Sequence, residues 1–396
     1  YEVGKTLLEV LLEEGIFVDN PCNGKGLCGK CKVRILEGEL SEPEDTERKL
    51  LKQEEMENGV RLSCLVKPET DLEIELMQKE RKHQVLTGGY IPSFAFDQDI
   101  QKIVVEIQKP TLEDQTSFED QILRQIPKAS LELGCLQMRQ FVPGQVTVVL
   151  HGNQVIQIEE GNTTEKMFGT TTVVCTLIDM LTGKELAHAS MINAQKHFGL
   201  DVLTRITYEL EHPEDGVEKL QKALVNSINE MIEDICCQSE VSKEWIYEIA
   251  VGANCTMMHM LLGVPATSLG RSPYAPVFVR GKDIRAKEIG LCAAEGARLY
   301  CLPSVSAYIG ADIVAGAYVC QLQKESGNVL FIDIGTNGEI VLSSHGRLLC
   351  CSCAAGPALE GMNISSGMRA AEGAIEDVTI TESGIEWKVI GNEKPI

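Results

Sequence analysis

Four cysteines near the start of the chain have the residue type and spacing of a metal-ligand set, and they are Cys22, Cys28, Cys31 and Cys64. Their spacing, C-x5-C-x2-C with a distant fourth cysteine, is one residue longer in its first gap than a known ligand pattern for 2Fe-2S clusters. Gly24, Gly26 and Gly29 suit such a loop, since glycine tolerates positive φ and lets backbone amides approach sulfide closely. The residues therefore predict a 2Fe-2S cluster held by four thiolates.

Zinc is the alternative metal for four thiolates. A zinc ribbon arranges its ligands as two close pairs, whereas here three cysteines share one Gly-rich loop and the fourth is remote, which favours iron. The chain has 15 cysteines, and crowded thiols also occur at Cys236, Cys237, Cys350, Cys351 and Cys353. A metal site or a second cluster there is the less favoured interpretation.

Two motifs further along the chain place Gly-Thr between apolar segments. Their residues are Gly169, Thr170, Thr171 and Thr172 in the first motif and Gly335, Thr336, Asn337 and Gly338 in the second. Two such turns that face one another form a phosphate clamp, because turn amides and threonine hydroxyls donate to phosphate oxygens. Asp333 would then hold the waters of a magnesium ion. Asn-Gly is also a common hairpin signal, so an ordinary turn is the alternative; the matched first motif and Asp333 favour a phosphate site.

Length and charge limit the classes of function. A chain of 396 residues is too long for one ordinary domain, and its 44% hydrophobic and 24% charged residues are typical of globular proteins. The formal charge of -22 argues against nucleic acid as a partner, since binding the phosphate backbone needs a basic excess. No apolar run reaches membrane-spanning length and no basic and apolar leader begins the chain, so we expect a cytoplasmic protein without a membrane partner.

Apolar periodicity divides the chain into four parts, which are residues 1–78, 79–100, 101–165 and 166–396. In the first part the pattern predicts a helix over 5–15, a strand over 32–36 and an acidic helix over 43–58. The second part mixes charge, glycine and proline without a period, which predicts a linker. The third is a small α/β unit. The fourth is a larger α/β domain with a helix from Val217 to about Cys236 and a strand over Ile246–Val251.

The first part resembles a β-grasp ferredoxin, and the whole chain resembles the reductive activators of corrinoid proteins. Beyond the cysteines, the resemblance rests on an ordered series of motifs, which includes Gly169-Thr-Thr-Thr172, Asn193-Ala-Gln195, Gly252 to His259, Asp333 to Glu339 and Ala354-Ala-Gly-Pro357. It implies an α/β multidomain (α+β) protein. The implied domains are a 2Fe-2S ferredoxin, a linker, a small middle α/β domain and a C-terminal actin-like (RNase H-like) ATPase domain that is incomplete at its C-terminus.

The resemblance also implies an activity, the ATP-dependent reduction of a corrinoid protein by one electron from Co(II) to Co(I), in support of corrinoid-dependent methyl transfer. The implied partners are the corrinoid protein, a low-potential electron donor, and ATP with Mg2+. Pairing of two copies of the chain stays open. ATP binding or hydrolysis would bias the conformations of the complex and so drive an uphill electron transfer.

Two departures from the family pattern affect the ATPase site. Met167-Phe168 stand where the family has Asp-Ile before its first Gly-Thr motif, so either a short piece is absent or metal binding is weakened and hydrolysis slowed. The chain also stops at Ile396, roughly where the family's Gly-rich adenine-side loop begins.

Two other classes of function stay open on the sequence alone. A ferredoxin-type electron carrier or oxidoreductase subunit without ATPase activity needs a nicotinamide site, yet no G-x-G-x-x-G motif follows a strand here. A docking protein with a degenerate ATPase fold is the other class, and Met167 in place of the expected Asp is the residue that supports it.

Overall fold

The strands of the computed structural model form five sheets, of three, four, six, three and two strands in chain order. The structure describes residues 4–14, 16, 18, 24–27, 29–77, 98–137, 143–171, 174–191, 193–199, 201–335, 337–354, 373–381 and 384–391. No helix within these ranges is long and apolar enough to cross a membrane.

The N-terminal unit is a small three-stranded sheet with short helices. Its elements are α1 (Leu7–Glu13), β1 (Lys32–Glu37), α2 (Asp45–Leu50), α3 (Gln53–Glu57), β2 (Val60–Leu62) and β3 (Glu73–Leu76), and the strand order is β2-β1-β3. A capping box starts α1, with the Glu9 amide donating to Thr6 Oγ1 and the Thr6 amide to Glu9 Oε2. The single acidic helix predicted over 43–58 is wrong. Two helices form instead, because Leu51 leaves the helical conformation and buries its side chain in the core.

The second unit is a four-stranded sheet with one amphipathic helix. Its elements are β4 (Ile100–Ile107), α4 (Phe118–Gln125), β5 (Ser130–Leu131), α5 (Leu133–Gln137), β6 (Gly144–His151) and β7 (Gln154–Glu160), in the strand order β4-β6-β7-β5. Ser117 caps α4 by accepting a hydrogen bond from the Asp120 amide, and Ile122 of this helix is fully buried against the sheet.

The third unit is built on the six-stranded sheet and holds the largest core. Its elements are β8 (Phe168–Thr171), β9 (Val174–Asp179), β10 (Lys184–Ser190), α6 (Val202–Glu211), α7 (Gly216–Ser239), β11 (Ile246–Val251), α8 (Cys255–Leu261), β12 (Lys282–Arg285) and β13 (Arg298–Cys301). The order is β10-β9-β8-β11-β13-β12, in which β8, β11 and β13 are parallel and the other pairs antiparallel. The first three strands thus form a meander that two parallel strands continue, which is the RNase H-like arrangement.

The last unit repeats the beginning of the third. It consists of α9 (Ala311–Val319), β14 (Asn328–Ile334), β15 (Asn337–Ser344) and β16 (Arg347–Ala354), followed by the hairpin of β17 (Ile375–Thr381) and β18 (Gly384–Val389). Strands β14, β15 and β16 form an antiparallel meander, as β8, β9 and β10 do. The two Gly-Thr motifs therefore belong to two meanders of the same type.

A buried ion pair of the second unit contacts two aromatic side chains of the third unit. Lys102 Nζ lies 2.8 Å from Glu159 Oε2, and the two side chains are only 2% and 6% exposed. Tyr247 donates its hydroxyl to Glu159, while the Lys102 ammonium lies 4.9 Å from the centroid of the Trp245 ring. Burial lowers the pKa of Lys102, and Glu159 opposes that change. Apolar residues of both units also share one core, so the two units pack as one body.

We expect Lys102→Met to lower the free energy of unfolding by about 3–5 kcal/mol, because it leaves the Glu159 carboxylate buried without its cation. Urea denaturation followed by Trp245 fluorescence, in a Trp387→Phe background, measures the change. Adding Glu159→Gln should recover part of the loss, since both charges are then gone.

Lys222→Met is the matched control, because Lys222 pairs with Glu218 at an exposed helix surface and its side chain is 69% exposed. Equal losses for Lys102→Met and Lys222→Met would contradict the assignment of the buried pair.

Candidate functional site

Two of the four predicted cluster cysteines lie side by side in the N-terminal unit. The sulfurs of Cys31 and Cys64 are 3.2 Å apart, and their residues are 1% and 6% exposed. Two thiolates on one tetrahedral metal lie about 3.7 Å apart when the metal–sulfur distance is about 2.3 Å. Cys31 and Cys64 therefore suit a shared metal atom. Cys22 and Cys28 lie outside the described residues, and their role stays a prediction.

The loop glycines have the conformation that the sequence predicted. Gly24, Gly26 and Gly29 have φ values of 77°, 68° and 65°, a region that side chains with a Cβ rarely adopt. A Cβ on Gly26 would also lie 2.9 Å from Leu65. The loop thus turns tightly just before Cys31.

A buried carboxylate fixes the strand that leads to Cys64. Glu47 is fully buried and accepts two hydrogen bonds from Arg61, from Nε and NH2, each at 2.9 Å. It also accepts from the Leu62 amide at 2.8 Å. This bidentate pair and the backbone hydrogen bond from Ser63 to Cys31 O, at 2.9 Å, hold β2 beside the start of β1. Cys64 is therefore placed by α2, which the sequence pattern did not indicate.

The environment of the two sulfurs fits an iron–sulfur cluster. The hydrogen bond with Cys64 lowers the pKa of the Cys31 thiol to about 6, against the opposing effect of burial. A thiol with a lowered pKa supplies the thiolate that a metal binds. Ser63 Oγ, beside them, is buried without a partner at full hydrogen-bond geometry within the described residues, and its nearness also lowers the pKa of the Cys31 thiol. A sulfur of a cluster would satisfy it.

The first Gly-Thr motif lies mostly inside a strand. Gly169, Thr170 and Thr171 belong to β8 and pair with Ile178, Leu177 and Thr176 of β9. Thr172 lies outside the described residues.

Met167, in the place where the resemblance leads us to expect an acid, is 1% exposed, and its carbonyl accepts from the Met180 amide at 3.0 Å. The side chain of Met167 therefore fills the core, and Thr171 is the last residue of β8.

The second motif lies in a turn, as predicted. The register pairs Ile334 with Gly338, so Gly335 and Asn337 flank the turn between β14 and β15, and the Gly335 amide donates to Asn337 O at 2.8 Å. Thr336 is outside the described residues. The two motifs occupy different positions in their hairpins. Gly335 lies next to the turn, whereas Gly169 lies within a strand.

Asp333 belongs to an acidic group that sequence reasoning missed in part. Partial desolvation raises the pKa of Asp312, at the start of α9, and Asp333 raises it further. Desolvation also raises the pKa of Glu339, against donation from Ser352, and both aspartates add to the shift. The charges of these three carboxylates thus influence one another. Among the described residues, no three His, Cys, Asp or Glu side chains converge closely enough to hold a metal ion directly.

Helix α9 connects the acidic group to the six-stranded sheet. The Ala311 amide donates to Ala253 O at 2.9 Å, in the loop that follows β11. Ala250, near the end of β11, pairs with Thr171 of β8. The carboxyl ends of parallel strands, where α/β folds bind ligands, therefore lie next to the start of α9. No residue near Asp312 in the sequence marked it as functional.

Models of four protein families match consecutive parts of the chain. Residues 1–69 match a 2Fe-2S iron-sulfur cluster binding domain, and residues 92–165 the RACo linker region. Residues 168–325 match the RACo middle region, and residues 327–396 the C-terminal domain of RACo, the ASKHA domain. These matches confirm the predicted α+β multidomain class and a 2Fe-2S domain. The domain boundaries set from the sequence stay predictions.

Known proteins resemble the chain along its whole length. It is 27% identical over 403 residues to corrinoid activation enzyme RamQ of Eubacterium limosum, covering 98% of this chain and 64% of that protein. A solved structure of a reductive activator for corrinoid, iron-sulfur protein is 33% identical with a TM-score of 0.66, covering 100% of this chain and 68% of that one. The chain thus spans about two thirds of the length of these relatives.

Shorter matches involve the cluster domain. The chain is 41% identical over 88 residues to [Co(II) methylated amine-specific corrinoid protein] reductase of Methanosarcina barkeri, covering 22% of this chain and 16% of that protein. It is also 43% identical over 76 residues to a component of the Na(+)-translocating NADH-quinone reductase of Chlamydia trachomatis serovar D, covering 19% of this chain and 17% of that protein.

We expect Cys64→Ser to abolish the visible absorption and the iron content of anaerobically purified protein, because a 2Fe-2S cluster needs all four thiolates. Cys351→Ser is the matched control, an exposed cysteine far along the chain, and should keep both. Retention of a full cluster by Cys64→Ser would contradict the ligand set.

Asp333→Asn should weaken the binding of ATP about 10- to 100-fold in the presence of Mg2+ and leave binding in EDTA unchanged, since outer-sphere carboxylates orient a metal's ligands. Calorimetric titration measures both values. Asp234→Asn, at an exposed position of α7, is the control. Equal losses with and without Mg2+ would argue against a metal-linked role for Asp333.

Proposed function

Because the chain belongs to the family of reductive activators of corrinoid proteins, we propose that it passes single electrons to the cobalt of a corrinoid protein under the control of ATP. The support comes from the four consecutive family matches, which place a 2Fe-2S domain and an ASKHA domain in one chain. The names of two relatives, a corrinoid activation enzyme and a reductase of a Co(II) corrinoid protein, point to the same reaction.

The observation that carries the proposal is the buried pair of Cys31 and Cys64 beneath an exposed loop. Leu27, in that loop, is 71% exposed, so the loop that covers the cysteines is open to contact with a partner. When bound there, a 2Fe-2S cluster supplies a one-electron carrier. A low-potential donor gives one electron, and Co(II) accepts it to become Co(I), so the electrons balance.

Nucleotide control rests on the carboxylates around α9 and on the two Gly-Thr motifs. Reduction of Co(II) to Co(I) is uphill from a 2Fe-2S donor, and ATP can assist only if it binds one conformation more tightly than another. Asp312 and Asp333 come from different segments, α9 and β14, and the charge of Asp333 raises the pKa of Asp312. Magnesium-bound phosphates would lessen the repulsion between them and so favour the arrangement in which the two segments are close.

A plain electron carrier is the second candidate. It is favoured by the similarity to a component of an NADH-quinone reductase, but that similarity covers only 19% of the chain. Thermal unfolding with added nucleotides separates the two functions: ATP with Mg2+ raises the midpoint for an ATP-controlled activator, and NADH raises it for part of an NADH oxidoreductase.

The proposed function predicts that Co(I) forms from a Co(II) corrinoid protein only when this chain, ATP, Mg2+ and a low-potential reductant are all present. Cobalt absorption under anaerobic conditions follows the reaction. Cys64→Ser should stop it because the electron carrier is lost, and Asp333→Asn should slow it at fixed ATP. Formation of Co(I) at the same rate without ATP would refute the nucleotide control.

A further inference from the structure

Two neighbouring loops of the third unit form an exposed surface rich in aromatic, aliphatic and basic side chains. We call it the basic aromatic surface, and its residues are Arg271, Tyr274, Val277, Arg280, Val305 and Tyr308. Their exposed fractions include 42% for Tyr274, 63% for Val277, 56% for Val305 and 51% for Tyr308, and both arginines are exposed. Large apolar side chains at such exposure, grouped together, are typical of interaction sites.

The surface is held in one conformation by buried groups beneath it. His259 is fully buried, donates from Nδ1 to Cys255 O at 2.7 Å, and accepts at Nε2 from the Val277 amide at 3.1 Å. A ring whose Nε2 accepts from an amide is neutral, and burial lowers the pKa of His259, which acts in the same direction. The ring also stacks on Phe278 with centroids 4.5 Å apart. The first loop is thus anchored from below.

The second loop is tied to the first at the surface. The Ser304 amide donates to Val279 O at 2.8 Å, and the rings of Tyr274 and Tyr308 meet edge to face with centroids 5.7 Å apart. Tyr274 has a φ of 59°, which a residue with a side chain rarely adopts. A surface already fixed in this way loses little conformational entropy when a partner binds.

The charge of the surface opposes that of the rest of the chain. Residues 271–282 contain three basic residues and no acidic one, within a chain of formal charge -22. Neither Arg271 nor Arg280 makes an ion pair within the part of the chain that the structure describes. Arginine and tyrosine are the residues that contribute most energy at protein interfaces. The surface therefore suits an acidic protein partner.

The location of the surface connects it to the nucleotide region. The loop with Val305 and Tyr308 ends at Gly310, which precedes α9 and Asp312. The Ile309 carbonyl accepts from the Val305 amide at 2.9 Å, so this loop is compact up to the start of the helix. A partner on the surface would contact the segment that positions Asp312.

We propose that the basic aromatic surface docks an acidic patch of the corrinoid protein, and this inference rests on the proposed function. Contact there would place the partner against the loop that leads to α9, so that docking and nucleotide binding act on the same segment. Charge complementarity speeds the encounter and makes it sensitive to salt.

The test compares two double variants. One, the arginine reversal, combines Arg271→Glu with Arg280→Glu, and the other, the control, combines Lys109→Glu with Lys128→Glu. The control changes the net charge equally, at two exposed lysines of the second unit. The probe is the Co(II) corrinoid protein used in the activation assay above. The arginine reversal should raise its KM about tenfold, the control about twofold or less, with kcat and ATP affinity unchanged. Salt should raise the KM of the wild type more than that of the reversal.

Replacing Tyr308 by Ser is a second variant and should also raise the KM while the thermal midpoint stays near that of the wild type. Equal KM values for the two reversals would overturn the docking assignment although activation still occurs. Absence of activation by the wild type would instead refute the proposed function itself. A change in the sedimentation of the free protein on arginine reversal would assign the surface to a second copy of the chain. If a polyanion inhibited activation equally in the two charge-reversed variants, that result would also count against a specific site.

Discussion

The proposed nucleotide site depends on one short strand, β8, which pairs with β9 on one side and with β11 on the other. Its parallel pairing with β11 places Thr171 beside Ala250. Ala250 lies just before the end of β11, and α9 contacts the loop that follows this strand. Gly316 of α9 has no room for a Cβ, which would lie 2.7 Å from the Phe331 ring of β14. A continuous series of contacts therefore runs from the first Gly-Thr motif through α9 to Asp333, and a shift in the register of β8 would move all of it.

The sequence predicted elements whose signals are local. The strand Ile246–Val251 has its predicted bounds, and α7 extends three residues beyond Cys236, because apolar periodicity and capping depend on near neighbours. The three loop glycines likewise have the predicted positive φ. Local signals were insufficient where tertiary packing determines the backbone conformation. At Leu51 the acidic helix is interrupted because the side chain is buried in the core.

Residues that meet across long separations could not be found from spacing. Asp312 and Glu339 lie 27 residues apart, and Glu159 meets Tyr247 across 88 residues. Nothing in their immediate neighbours distinguishes them from surface carboxylates. Gly169 shows the opposite case: its motif matched a turn by residue type, but the pairing of Met167 O with the Met180 amide draws it into the strand. The residue types of the motif identified this region of the chain, and the register of the strand pairing determined where Gly169 lies within it.

The distribution of contacts between the units bears on how nucleotide binding can influence an electron carrier. The second and third units share a core, and Tyr247 of the third donates to Glu159 of the second, so they pack as one body. Within the described residues, the ion pair that joins the N-terminal unit to the third unit is Lys25–Glu211, at 3.6 Å with both side chains about half exposed, and such pairs contribute about 0–1 kcal/mol. Separation of the second and third units would take the Tyr247 hydroxyl away from the buried Glu159 carboxylate. A partner that binds the basic aromatic surface would contact the third unit, and the cysteine-rich loop of the N-terminal unit adds the positive charges of Lys25 and Lys30. Both the basic aromatic surface and the loop with Lys25 and Lys30 would attract an acidic partner. The same acidic patch of the partner could therefore serve docking first and electron transfer afterwards.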